Sequence, residues 1–143
     1  MITEDYVSFE TAKLLKEKGF NEPTNEFFDG QKGLSKEKEI YGGVPDFGEC
    51  CWNEDPFVHM GFPKFKTFAK PSIAQVIKWL REVHKIFIEI SYDSHEFENA
   101  PYFSLITNMN TNDYFKGHNL PGEKPTYEEA CEAAIKYCLE NLI

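Results

Sequence analysis

Residues 72–92, SIAQVIKWLREVHKIFIEISY, change their apolar period from near four to two within a few positions. Ile73, Val76, Ile77, Leu80 and Val83 fall on one face of a helix. Ile86, Ile88, Ile90 and Tyr92 then alternate with Phe87, Glu89 and Ser91, as a half-buried strand requires. A helix therefore runs straight into a strand, and each buries one side. This fixes a packing unit and leaves the chemistry open.

Two further helices carry start signals. Ser8 can cap a helix over 9–18, with Gly19 as a left-handed stop and Phe20 folding back on Leu15. Ala12 and Leu15 lead its buried stripe. Ser72 with Gln75 forms a capping box for the central helix, and Thr126 with Glu129 forms another for the last. On that last helix Tyr127, Cys131, Ala134, Ile135, Cys138 and Leu142 share the apolar face. Residues 102–107 read as a strand that closes an antiparallel hairpin with 86–92. Residues 108–125 read as a long polar loop.

The segment 21–70 has no sustained period. Phe27, Phe28, Asp29 and Gly30 suggest a short strand entering a turn, and 40–41 and 57–60 suggest two more. The run 32–39 is charged and reads as exposed. Phe27, Phe28, Tyr41, Phe47, Trp52, Phe57, Phe62, Phe65 and Phe68 crowd the segment. They would line a pocket or supply the segment's own core, and the core is the expected use. The chain of 143 residues suits one domain, 1–143. The expected fold is α+β: a small antiparallel sheet with about three helices packed on one face.

The formal net charge of −9 disfavours sequence-independent nucleic-acid binding, which relies on Lys and Arg. No apolar run approaches the roughly 20 residues that span a bilayer. The acidic start, MITEDYVSFE, lacks a secretory pattern. These features lead us to expect a cytoplasmic protein with no membrane partner. Cysteines stand at 50, 51, 131 and 138. A reducing compartment keeps them as thiols, and 131 and 138 lie about 10 Å apart on one helix, too far to bond.

Three blocks, VSFETAKLLKEKGFNEP, SIAQVIKWLREVHKIFIEI and YEEACEAAIKYCLENLI, together resemble a group of small proteins from gut Bacteroidales genomes and their phages and mobile elements. Trp79, Leu80, Arg81, Glu82, His84 and Ile86 are the most specific part. The resemblance implies a setting and no activity: an accessory protein of a phage or integrated element, in a bacterial cytoplasm. Residues 24–70 and 93–125 depart most from the pattern.

Candidate sites are sparse. Cys50, Cys51 and His59, with Asp46, Glu49, Glu54 and Asp55 nearby, contain zinc-type ligands, but the spacing fits no finger or ribbon. His84, beside Glu82, suits a general base, a helix C-terminal cap or simple packing, and capping or packing is preferred. Trp79 and Arg81 are residue types favoured at binding hot spots, and Trp79 would otherwise widen the core face. Trp79, Arg81 and His84 are thus the candidate partner contacts. His95, Glu96, Glu98 and His118 read as solvated loop residues, and Gly42, Gly43 and Gly117 form no phosphate loop. No catalytic, cofactor-binding or metal residue is assigned, and no cofactor is expected. The leading expectation is an accessory protein that binds another protein. The alternatives are a small hydrolase or metal-dependent enzyme using Cys50, Cys51 and His59 or His84, and an acidic mimic that blocks a DNA-binding protein.

Overall fold

The computed structural model describes residues 1–30, 35–36, 49–96, 98–116 and 120–143. The fold is α+β, and among the described residues there are two three-stranded antiparallel sheets where the sequence suggests one. The chain divides into two compact units, Tyr6–Pro71 and Met1–Asp5 with Ser72–Ile143.

The unit Tyr6–Pro71 holds α1 (Phe9–Glu17), β1 (Phe27–Asp29), β2 (Ser35–Lys36), a 3-10 turn (Trp52–Glu54), α2 (Pro56–His59) and β3 (Thr67–Ala69). Ser8 Oγ accepts from Thr11 N at 3.2 Å and so starts α1. Gly19, at φ 84°, ends it: Gly19 N donates to Lys16 O and Phe20 N to Leu15 O, at 3.2 and 2.9 Å. The sheet order is β2-β1-β3.

Aromatics form the core of this unit. Phe27 stacks on Trp52 at 4.2 Å between ring centroids, and Phe57 packs edge-on to Phe65 at 5.2 Å. Trp52, Phe57 and Phe27 are all buried. Side chains tie the irregular stretch to the strands. Trp52 Nε1 donates to Thr24 O at 2.7 Å, Thr67 Oγ1 to Trp52 O at 2.6 Å, and Asn53 Nδ2 to Phe20 O at 2.7 Å. Side-chain donors thus add to the backbone bonds that hold this irregular stretch, where Cys50 N also donates to Thr24 O and Asp55 N to Trp52 O.

The suggested strand at 57–60 is instead α2. Pro56 holds the first helical position, where its fixed φ suits a helix and its missing N–H is not needed. Asp55 precedes it at φ 51°, and its carboxylate takes Lys16 Nζ at 2.7 Å and Thr67 N at 3.0 Å. The suggested strand at 40–41 lies outside the described residues, as does the charged run 32–39 apart from 35–36. Tyr41 and Phe47 lie outside them too.

The second unit holds α3 (Ile73–His84), β4 (Ile86–Tyr92), β5 (Tyr102–Asn108), β6 (Asp113–Tyr114) and α4 (Tyr127–Asn141). Both predicted caps form: Ser72 Oγ accepts from Gln75 N and Thr126 Oγ1 from Glu129 N, each at 3.2 Å. Lys85 alone joins α3 to β4, in the left-handed conformation at φ 57°. The register runs from Ile86↔Asn108 to Tyr92↔Tyr102. The loop 108–125 contains β6, which pairs with β5.

Val76, Trp79 and Leu80 from α3 and Ala130, Cys131, Ala134, Ile135, Cys138 and Leu139 from α4 meet Ile86, Ile88 and Ile106 in one core. Both helices therefore cover a single face of the β4-β5-β6 sheet. Three positions depart from the expected buried faces, Tyr92 among them at 63% exposed at the end of β4. Val83, in the last turn of α3, is 56% exposed, while Trp79 one turn earlier is buried. Tyr127 is 49% exposed, since it is the first residue of α4 and precedes the packed turns. No helix among the described residues is long and apolar enough to cross a membrane.

Candidate functional site

Directly opposed residues of an antiparallel pair point to the same face. Ile86, Ile88 and Ile90 stand opposite Asn108, Ile106 and Ser104 on the helix-covered face. The other face carries Phe87, Glu89 and Ser91 from β4, Thr107, Leu105 and Phe103 opposite them on β5, and Tyr114 opposite Thr107 on β6. Phe87 is 40% exposed and Tyr114 is 56% exposed, while Phe103, Leu105 and Thr107 are half-buried. An apolar and hydroxyl-bearing surface with one carboxylate results. It offers area to bury and hydroxyls to bond, which suits recognition. Its signal was already in the sequence: Phe87 occupies a position where the alternation calls for a polar residue.

The sequence-nominated contacts all lie on α3. Trp79 is buried, and the His84 ring meets it edge-on at 4.5 Å. Arg81 is half-buried. His84 Nε2 is buried with no hydrogen-bond partner among the described residues, and burial lowers the imidazole pKa from its usual value. The ring is therefore neutral at neutral pH and packs against Trp79. Lys85 Nζ donates to Glu82 O at 3.0 Å, and Arg81 adds a second cation in the last turn of α3.

All four cysteines are free. Cys50 pairs its backbone with Thr24, and Cys51 Sγ lies 3.5 Å from Asn21 O. Burial first, and Glu54 beside them, push both thiols up from their usual pKa. This is the opposite of what a reactive thiolate needs. His59 is exposed at the end of α2. Among the described residues no group of three His, Cys, Asp or Glu side chains converges as a metal site would, and Asp46 lies outside them. Cys131 and Cys138 are core residues of α4, and burial pushes Cys138 up to about 12. His95, Glu96 and Glu98 are exposed, and Asp93 Oδ1 accepts from the backbone of His95 and Glu96. His118, Gly42, Gly43 and Gly117 lie outside the described residues.

A shallow cleft of about 160 Å³ lies between Met1–Asp5 and the first turns of α3 and α4, with Ile73, Ala74 and Cys131 lining it and Glu4, Asp5 and Glu128 around it. Acids at helix N-termini have a structural use there, opposing the positive end of the dipole. No family model, curated protein or solved structure matches the chain.

Proposed function

We propose that this chain acts by binding another protein through the outer face of the β4-β5-β6 sheet. The exposure of Phe87 and Tyr114 on the face that the helices leave open carries the reading. A contiguous exposed apolar patch on a soluble protein often marks an interface, and aromatics are enriched in such patches. The resemblance to small proteins of Bacteroidales phages and mobile elements supports an accessory role in a bacterial cytoplasm. The acidic surface is compatible with that role, since net charge sustains solubility.

The test is affinity capture from a Bacteroidales lysate with three baits: the full chain, a Phe87→Ser/Tyr114→Ser double variant and a Lys136→Ala control. A stoichiometric partner should appear with the full chain and the control, and fall by about tenfold or more with the double variant. Equal recovery by the double variant would sink the proposed surface.

A further inference from the structure

Among the described residues β3 and β4 each stand at the edge of a sheet, and the two edges differ. Gly30 N donates to Lys66 O and Lys70 N to Glu26 O, at 2.9 and 3.0 Å, so Thr67 and Ala69 turn their backbone groups away from β1. Side chains take those groups up. Asp55 Oδ1 accepts from Thr67 N at 3.0 Å, Lys16 Nζ donates to Thr67 O at 2.8 Å, and Asn53 Oδ1 accepts from Ala69 N at 2.9 Å. On the other sheet, Lys85 O accepts from Met109 N and Asp93 N donates to Pro101 O, each at 2.8 Å. In that register Phe87, Glu89 and Ser91 make the bonds to β5, and Ile88 and Ile90 turn their N–H and C=O to the free side of β4. No group among the described residues bonds them there. The strand IFIEISY holds no Pro, Gly or Lys to guard its edge, and one charge, Glu89.

We propose that β4 pairs edge to edge with β4 of a second copy, giving a two-fold dimer with one continuous six-stranded sheet. A second copy brings a strand of the same length with the same unserved groups, so the two edges complete each other, as an isologous contact requires. Antiparallel pairing about Ile88 sets Ile86 opposite the partner's Ile90 and Phe87 opposite the partner's Glu89. Isoleucines then meet on the helix-covered face, and no like charges stand directly opposed. Pairing about Glu89 would set two carboxylates face to face and is disfavoured. Each copy carries −9, but that repulsion is screened beyond about 8 Å at physiological salt, and β4 itself brings one acid. The far edge of the sheet is β6, whose two exposed residues make too short a template for a further strand, so the assembly closes at two copies. The inference rests on the backbone of β4 and not on the outer face proposed for a partner protein.

Sedimentation velocity of the purified full chain over a concentration series is the first test, and the mass should rise from one chain to two and no further. Ile90→Pro removes one outward N–H and spares the ladder to β5, a place where an edge strand accepts proline. It should weaken the dimer about tenfold or more, with the circular dichroism of the monomer unchanged. Amide exchange of the wild type gives a second reading that needs no variant. The N–H groups of Ile88 and Ile90 should exchange about tenfold more slowly in concentrated than in dilute protein, because pairing occupies both. Exchange independent of concentration overturns the proposal, as does undiminished dimerisation by a folded Ile90→Pro. A chain that stays monomeric at every concentration overturns it too, and leaves the edge to an extended segment of another protein.

Discussion

His84 shows how one side chain's surroundings set its chemistry. An exposed histidine at a helix C-terminus would gain from protonation. This one has its Nε2 buried and its ring edge-on to Trp79, so protonation is disfavoured. The folded pKa lies below the unfolded one, so the unfolded chain takes up the proton first as pH falls. Stability from this group is full above about pH 6.5, the unfolded value, and is lost progressively as pH falls below it. Urea midpoints of the wild type should thus fall more between neutral and mildly acid pH than those of His84→Phe, which keeps an aromatic ring without a titrating nitrogen. The carboxylates are common to both chains and cancel in the difference. Superposable pH profiles would refute the assignment. The sequence placed His84 at the junction but not its sign, because burial of one ring nitrogen depends on a partner five residues back on the helix.

At the scale of elements, the junction between α3 and β4 rests on Lys85, a non-glycine residue at φ 57°. Left-handed backbone costs an L-residue roughly 1–2 kcal/mol, and glycine avoids this at an entropic cost of about 0.5–1 kcal/mol. Lys85 Nζ also bonds Glu82 O, an exposed contact of small worth. Lys85→Gly should therefore raise stability by up to about 1 kcal/mol, read from chemical denaturation. A loss of stability would mean that the lysine side chain contributes more than its backbone costs. Long periodic elements were legible: α1, α3, β4, β5 and α4 all lie where spacing and caps put them, with end shifts of one residue. Short ones were not. β3 has three residues and pairs with β1 across a wide gap in sequence, so no local pattern could announce it. α2 hid because Phe57 and Val58 suit a strand as well as a helix, and Pro56 decides between them. The outer-face aromatics of the candidate site were legible in part, since Phe87 broke the alternation. Tyr114 was not, because β6 has two residues and lies in what reads as loop.

For the molecule as a whole, excess negative charge is the dominant long-range term. A chain carrying −9 repels itself more when compact than when unfolded. The ion pairs Lys16–Asp55 at 2.7 Å and Lys70–Glu26 at 3.1 Å bridge distant segments, and both are partly screened by solvent. Sodium chloride should raise the thermal midpoint as the Debye length shrinks from about 30 Å at 0.01 M to about 8 Å at 0.15 M. A midpoint that falls with salt would show that specific pairs outweigh the general repulsion. The single-residue link at Lys85 bears on the route to this structure as well. It brings α3 against β4 with almost no loop to close, and the hairpin to β5 adds its contacts at short sequence separation. The run from α3 through β5 is thus suited to nucleate, with α4 arriving on a template already formed.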